Sequence, residues 1–291
     1  MNAGKKLRDL LKRDEILVAP GAHDGISAKI IEKLGFNAIY GTGYGASASR
    51  LGKPDAGLMT LTEMTTHMHS LACNVNIPVI ADGDTGFGNA VNAMRAVQEY
   101  EAAGVAAIQL EDQVLPKKCG HMLGREIVST EEMVGKIRAA KSARKNPDFC
   151  IIARTDARTK YGIDETLRRI EAFANAGADI IFAESLESEE EMRRVNELTN
   201  LPSLANMVEK GRTPILSSKE LYDLGYKIVI WPVTSVLIEA KALFKAFEML
   251  KADGTTKNFF QDMYGFEEFN NLLGLEDIRR YEQEFAGRAA E

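Results

Sequence analysis

Ile108-Gln109-Leu110-Glu111-Asp112, followed closely by Lys117-Lys118-Cys119-Gly120-His121, reads as an apolar strand that stops on two carboxylates and runs into a cationic, thiol-bearing loop. An earlier stretch has the same form, Pro78-Val79-Ile80-Ala81 leading into Asp82-Gly83-Asp84. Further short β-rich runs lie at 16–19, 38–41, 150–153, 180–183, 203–205 and 227–230. They are continuously apolar rather than alternating, the pattern of parallel strands covered on both faces. Helical patterns fill the intervals. Residues 90–103 place Val91, Met94 and Val97 on one stripe, with Gly104 as a C-terminal cap. Ser129 and Glu132 form a capping box ahead of Met133 and Ile137. Residues 163–175 repeat the scheme with Leu167, Ile170 and Phe173 before Gly177.

Eight strand–helix alternations in 291 residues, where such a fold needs roughly 250, predict a (β/α)8 TIM-type barrel over residues 1–232. The competitor, an open doubly wound sheet, lacks support: Gly41-Thr42-Gly43-Tyr44-Gly45 misses the third glycine of a dinucleotide fingerprint, and no Gly-Lys-Ser/Thr phosphate loop occurs. Residues 233–291 are helical and carry Ile238, Leu243, Phe244, Phe247 and Leu250, with a second stretch over 266–285. That is more apolar surface than a barrel's last helix requires. It predicts packing on a neighbouring subunit, with helix exchange as one form of it, the alternative being helices that cover their own barrel floor.

Composition narrows the partners. A hydrophobic content of 45% supports a sizeable core, and 36 basic against 42 acidic residues give a net charge of −6. Nucleic acid and membrane surfaces are therefore not expected as partners. The charged N-terminus lacks the apolar centre of a secretory signal, and no apolar run has transmembrane length. Three cysteines (Cys73, Cys119, Cys150) make neither a disulfide framework nor a zinc set. The expectation is a reduced, cytoplasmic protein with Cys73 and Cys150 structural.

Active sites of (β/α)8 barrels form at the C-terminal ends of the strands, where this chain's polar residues fall. Thr42 and Tyr44 follow the second strand, and Asp82 and Asp84 the third. Glu111 and Asp112 end the fourth, Arg154 and Asp156 the fifth, Glu184 the sixth and Asn206 the seventh. Asp82 and Asp84 alternate along an extended segment, so both are expected to point to one side as hard oxygen ligands for Mg²⁺ or Mn²⁺. Glu111 is a further ligand or a lysine's partner. Arg154 is expected to hold a substrate carboxylate, the alternative being an ion pair with Glu184 or Asp156. The positive charge beside Cys119 is expected to make it an acid or nucleophile near neutral pH, the lysines tuning the thiol to cycle rather than simply ionising it. His121 binds substrate or keeps the loop electropositive. His23, His67 and His69 are read as structural.

Asp82-Gly83-Asp84, Glu111-Asp112-Gln113 and Lys117-Lys118-Cys119-Gly120-His121 together resemble the isocitrate lyase/phosphoenolpyruvate mutase superfamily, a likeness running from about Val18 to beyond Pro232. It implies a barrel, a Mg²⁺ site at Asp82, Asp84 and Glu111, and a homotetramer with exchanged C-terminal helices. The implied substrate is a small 2-hydroxy dicarboxylate. Cys119 matches the lyase acid/base on a mobile loop, with Lys117 and His121 beside it, and Asp55 matches a functional acid. Thr42, Gly43 and Tyr44 match a cradle for the substrate's carboxylate and 2-oxygen, and Gly120, Arg154, Glu184 and Asn206 match substrate contacts. Relatives that act on C–P bonds generally carry another residue at the position of Cys119, so the resemblance implies a carbon–carbon lyase rather than a phosphonomutase. Lyases that manage a third carboxylate commonly place an arginine shortly after the proline matching Pro232. Here Thr234-Ser235-Val236-Leu237 supplies no cation. Gly83 departs from a more usual alanine. The base for the 2-hydroxyl stays open among Asp55, Glu111 and a metal-bound water. A barrel that merely bound dicarboxylates would need no proton donor at Cys119.

Overall fold

The computed structural model describes residues 2–122 and 124–286. Eight parallel strands are β1 (Leu17–Ala22), β2 (Ile39–Gly41), β3 (Val79–Asp82), β4 (Ala107–Glu111), β5 (Cys150–Thr155), β6 (Ile180–Ala183), β7 (Leu204–Asn206) and β8 (Ile228–Trp231). Their order is β6-β5-β4-β3-β2-β1-β8-β7, and a parallel bridge between Ile181 and Ser203 joins the two ends. The predicted barrel is therefore present. Most strands begin one residue later than expected, so that β3, β4 and β7 end on Asp82, Glu111 and Asn206 themselves.

Strand alternation assigns each residue its face. On β5, Cys150 and Ile152 join the cluster inside the barrel, with Tyr40, Ile80, Ala107, Phe182 and Leu204. Ile151 and Ala153 join the cluster beneath the helices. Carrying each strand's inward parity to its C-terminal end puts Thr42, Asp82, Glu111, Arg154, Glu184 and Asn206 on the inside at one mouth. Register supports this, since Glu111 stands beside Arg154 and Asp82 beside Gln109. Helix α1 (Ala3–Leu11) buries Leu7 in the interior cluster and closes the opposite end.

The helices between the strands are α2 (Gly25–Lys33), α3 (Gly43–Ala46), α4 (Leu61–Asn74), α5 (Ala90–Ala102), α6 (Thr130–Ala143), α7 (Arg158–Ala176), α8 (Glu189–Glu197) and α9 (Ser218–Asp223). Two sequence expectations need correction. Val91 is 71% exposed; α5 packs instead through Ala93, Ala96, Val97 and Tyr100, because small residues let a helix lie close on a sheet. Ser129 caps α6 by accepting from Glu132 N, without the reciprocal bond of a full box. The glycine caps hold: Gly104 and Gly177 have φ of 87° and 103°, in the region that side chains disfavour.

Two compact units divide at Val236 and Leu237. Helix α10 (Thr234–Asp253) has no buried residue, and Phe244 and Phe247 on it are exposed. The stretch expected over 266–285 is two helices, α11 (Phe266–Leu272) and α12 (Leu275–Phe285), parted by Gly274 at φ 88°.

Candidate active site

One cavity at the strands' C-terminal mouth is lined by Thr42, Tyr44, Asp55, Asp82, Lys117, Cys119, Gly120, His121, Arg154, Glu184 and Asn206. Its remaining wall is Tyr40, Val208, Ile230, Pro232 and Val233. Three other expected residues adjoin it. Gly43 donates its N–H to Asp82 Oδ2 at 3.3 Å, Asp84 pairs with Lys117, and Glu111 faces Arg154. Gly43 and Gly120 are glycines by necessity: a Cβ on the first would meet Asp82 Oδ2 at 2.6 Å, and one on the second would overlap Arg154 and Glu184. Gly83 follows the same logic, its absent Cβ leaving room for Ile108 Cγ1 at 2.5 Å.

Lys117 corrects the reading of the cationic loop. Its ammonium turns down into the acids, 2.8 Å from both Asp55 Oδ2 and Asp84 Oδ1. Burial alone would lower its pKa, but Asp84, Asp55, Glu111 and Asp82 hold it well above the usual lysine range. Lys118 points elsewhere, donating to Gly124 O at 2.8 Å. Neither lysine therefore tunes the thiol. Burial pushes Cys119 above the ordinary thiol range, and the charges of Asp55 and Glu184 add to this against the His121 backbone and Arg154. The sulfur is a protonated thiol at neutral pH.

The acids also differ from expectation. Asp84 does not continue the strand; it lies at φ 48° and is turned onto Lys117. Asp82 stays inside, and its Oδ1 accepts Asp84 N at 3.0 Å. Burial, with like charges at Asp82 and Asp55, raises Asp84 to about 6 despite Lys117. Glu111 is fully buried, neither carboxylate oxygen has a hydrogen-bond partner, and burial raises it well above the usual range. Among the described residues no group of three or more His, Cys, Asp or Glu side chains is already set to hold a metal ion.

Arg154 is not a free cation awaiting a substrate. Its Nε and Nη2 donate to Asp156 at 2.8 and 2.9 Å, and Glu111 and Glu184 lie 3.4 and 3.3 Å away. Asp156 is in turn fixed from below, its N–H donating to Asp112 Oδ1 at 2.9 Å. Asp112 also accepts from Thr155 Oγ1 and Arg169 Nη1. Burial, then the charge of Asp156, raises Asp112 to about 6. Glu184 accepts from Asn206 Nδ2 at 2.9 Å and Ser185 N at 2.7 Å.

The loop lies down over this assembly. Cys119 N donates to Asp55 O at 3.2 Å, and Ser185 Oγ donates to Gly120 O at 2.8 Å. His121 Nε2 lies 3.3 Å from Glu184. Its Nδ1 accepts Arg212 N at 3.1 Å, which keeps the ring neutral; burial lowers its pKa in the same sense. Ser185, Arg169, Arg125 and Gln109 were not singled out from sequence, and Asp112 was noted only as a carboxylate at the end of its strand. Gln109, which accepts from Tyr40 Oη at 2.9 Å, had a signal as the one amide in an apolar strand.

The phosphoenolpyruvate phosphomutase family model matches residues 7–251. The chain is 59% identical to a 2,3-dimethylmalate lyase of Eubacterium barkeri, covering 98% of this chain and 99% of that protein. It is 42% identical to a 2-methylisocitrate lyase of Halalkalibacterium halodurans, covering 97% and 93%. A solved phosphonopyruvate hydrolase in complex with oxalate and Mg²⁺ matches with a TM-score of 0.89 at 33% identity, covering 98% of this chain and 100% of that one. With the acid-ringed mouth and its cysteine roof in place, the chain belongs to the phosphoenolpyruvate phosphomutase family of the phosphoenolpyruvate mutase/isocitrate lyase superfamily.

Proposed function

We propose that this chain is a divalent-cation-dependent carbon–carbon lyase that splits 2,3-dimethylmalate into pyruvate and propionate. The observation that carries this reading is the cavity's apolar wall of Val208, Ile230, Pro232 and Val233. Of the two permanent cations lining the cavity, Lys117 is committed to Asp55 and Asp84, and Arg154, already shared by Asp156, Glu111 and Glu184, has charge for the substrate's second carboxylate but none for a third. After Pro232, Thr234 spends its hydroxyl on Glu209. A methyl group suits such a wall. A further carboxylate would be desolvated there without a partner, at a cost of several kcal/mol. The 59% identity to a 2,3-dimethylmalate lyase supports the same substrate.

The acids fit a divalent cation. Glu111 offers two buried oxygens that no donor satisfies, and hard carboxylate oxygens suit Mg²⁺ or Mn²⁺. Asp82, Asp84 and Glu111 would hold the ion, which would supply Lewis-acid polarisation of the substrate's 2-oxygen and adjoining carboxylate.

The chain's own groups do the rest. Thr42, Gly43 and Tyr44 line the side of the mouth where that carboxylate and 2-oxygen lie. A carboxylate of the acid ring takes the 2-hydroxyl proton. The C2–C3 bond breaks, C2 becomes the ketone of pyruvate, and the electron pair left on C3 spreads into its carboxylate. Arg154 faces that developing charge. Cys119 then gives its thiol proton to C3, forming propionate, and regains a proton before the next turn. A half-buried, protonated thiol suits this direction of chemistry. Exposed apolar residues on α10, including Phe244 and Phe247, support a homotetramer in which a second copy covers them.

Pyruvate release from 2,3-dimethylmalate and from 2-methylisocitrate, each with and without EDTA, tests the proposal. The expected kcat/KM favours dimethylmalate by about a hundredfold or more, and chelation abolishes turnover. Faster cleavage of 2-methylisocitrate refutes the substrate; full activity after chelation refutes the metal.

A further inference from the structure

We infer that Arg125 is a positioning residue that couples seating of the Lys117–Met122 roof to the charge that Arg154 offers in the cavity. For what Arg154 holds, this rests on the function proposed above. The cavity is roofed by Cys119, Gly120 and His121, all tied down, so the roof must lift whenever a substrate enters. Arg125 stands on the far leg of that roof, yet its side chain is only 3% exposed.

Its guanidinium makes a three-way junction. Nε donates to Met122 O at 3.1 Å, and Met122 N donates back to Cys119 O at 2.9 Å, which joins the junction to the roof backbone. Nη1 donates to Asp156 Oδ1 and Nη2 to Thr159 Oγ1. Asp156 Oδ1 is the same oxygen that accepts Arg154 Nη2. One buried carboxylate, on a residue whose backbone N–H is held by Asp112, therefore serves two guanidiniums.

With the roof down, the single charge of Asp156 is divided between Arg125 and Arg154. Arg154 then keeps more of its positive charge for the cavity. When the roof lifts and carries Arg125 away, Asp156 binds Arg154 alone and the pull on a dicarboxylate weakens. Coupling of this kind is reciprocal: an anion held by Arg154 favours the seated roof as much as the seated roof favours the anion.

The chain's own thiols supply the test. Intact Arg125→Gln and Arg125→Lys proteins are treated with iodoacetamide, and each cysteine's alkylation is followed by peptide mass spectrometry. Cys119 reports the roof, exposed Cys73 the reagent, and buried Cys150 general unfolding. Arg125→Gln should raise the Cys119-to-Cys73 rate ratio about tenfold or more, as expected for loss of a buried charge pair. Arg125→Lys should raise it less, with Cys150 protected in both. An unchanged ratio overturns the inference. So does Cys150 reacting in step with Cys119, which would make Arg125 a strut of the fold. Turnover adds a second readout: KM for 2,3-dimethylmalate should rise in Arg125→Gln and recover partly in Arg125→Lys. A raised Cys119 ratio with unchanged KM overturns the link to Arg154. Failure of the parent protein to cleave dimethylmalate would refute the proposed function and leave the alkylation result standing.

Discussion

Replacing Lys117 with methionine keeps the stem and removes the charge that two carboxylates share at 2.8 Å each. Breaking a buried ion pair from one side typically costs about 3–5 kcal/mol. In a barrel of this size that corresponds to a loss of about 6–20 °C in Tm. The pH dependence sharpens the expectation. Asp84 has a folded pKa of about 6, raised from 3.8 chiefly by burial, even with Lys117 present. Without Lys117 its ionised form is lost at any ordinary pH. The parent's advantage from that ionised form is therefore about 1.4 kcal/mol per pH unit above 6, or about 2.7 kcal/mol at pH 8. The gap between parent and Lys117→Met should be full at about pH 8 and fall to half or less by about pH 5.5, where Asp84 is protonated in both proteins. Urea unfolding without divalent cations, run at both pH values, measures it. A gap below about 1 kcal/mol at pH 8, or one independent of pH, would refute the counter-ion assignment.

Cys119→Ser keeps the site's shape but offers a far weaker acid, so kcat should fall by about 10²–10⁴-fold; equilibrium affinity for 2,3-dimethylmalate, read by calorimetry, should change little. Val208→Ala removes part of the apolar wall and should lower kcat/KM for 2,3-dimethylmalate by about tenfold, with a smaller loss for 2-methylmalate in a parallel pyruvate assay. His67 is buried, and burial followed by the charge of Arg50 lowers its pKa to about 4. The unfolded chain thus takes up a proton that the folded one refuses. Relative to His67→Gln, the parent should lose about 3 kcal/mol as pH falls from about 6.5 to 4, measurable in a pH series of unfolding curves.

What could be read from the sequence was what a strand's two-residue repeat carries. Once the apolar runs were taken as parallel strands, the polar residue ending each one had to sit at the C-terminal mouth, and Asp82, Glu111, Arg154, Glu184 and Asn206 do so. Direction within a loop was not legible. Lys117 and Lys118 both neighbour Cys119 in sequence, but consecutive residues of an extended loop face opposite ways, and Lys117 goes to the acids. The α5 stripe failed for a related reason, and at Val91 alone, since Val97 is buried and Met94 packs against the core. Val91, Met94 and Val97 fit a helical repeat as well as Ala93, Ala96 and Val97 do, and only packing on the sheet decides between them. Arg125, Asp112 and Arg169 act through partners far along the chain, such as Asp112 with Arg169 across 57 positions, and one sequence carries no such distances.

Glu111 bears on any attempt to harden this enzyme for industrial heat. A buried carboxylate with two unsatisfied oxygens is a liability to the fold, and a library sorted on thermal survival alone would be enriched in neutral replacements at that position. Under the proposed function, such winners would outlast the parent in the heating block and convert nothing. Selection for durability has to be paired with selection for turnover, because a side chain that burdens the scaffold is one proposed to hold the cation.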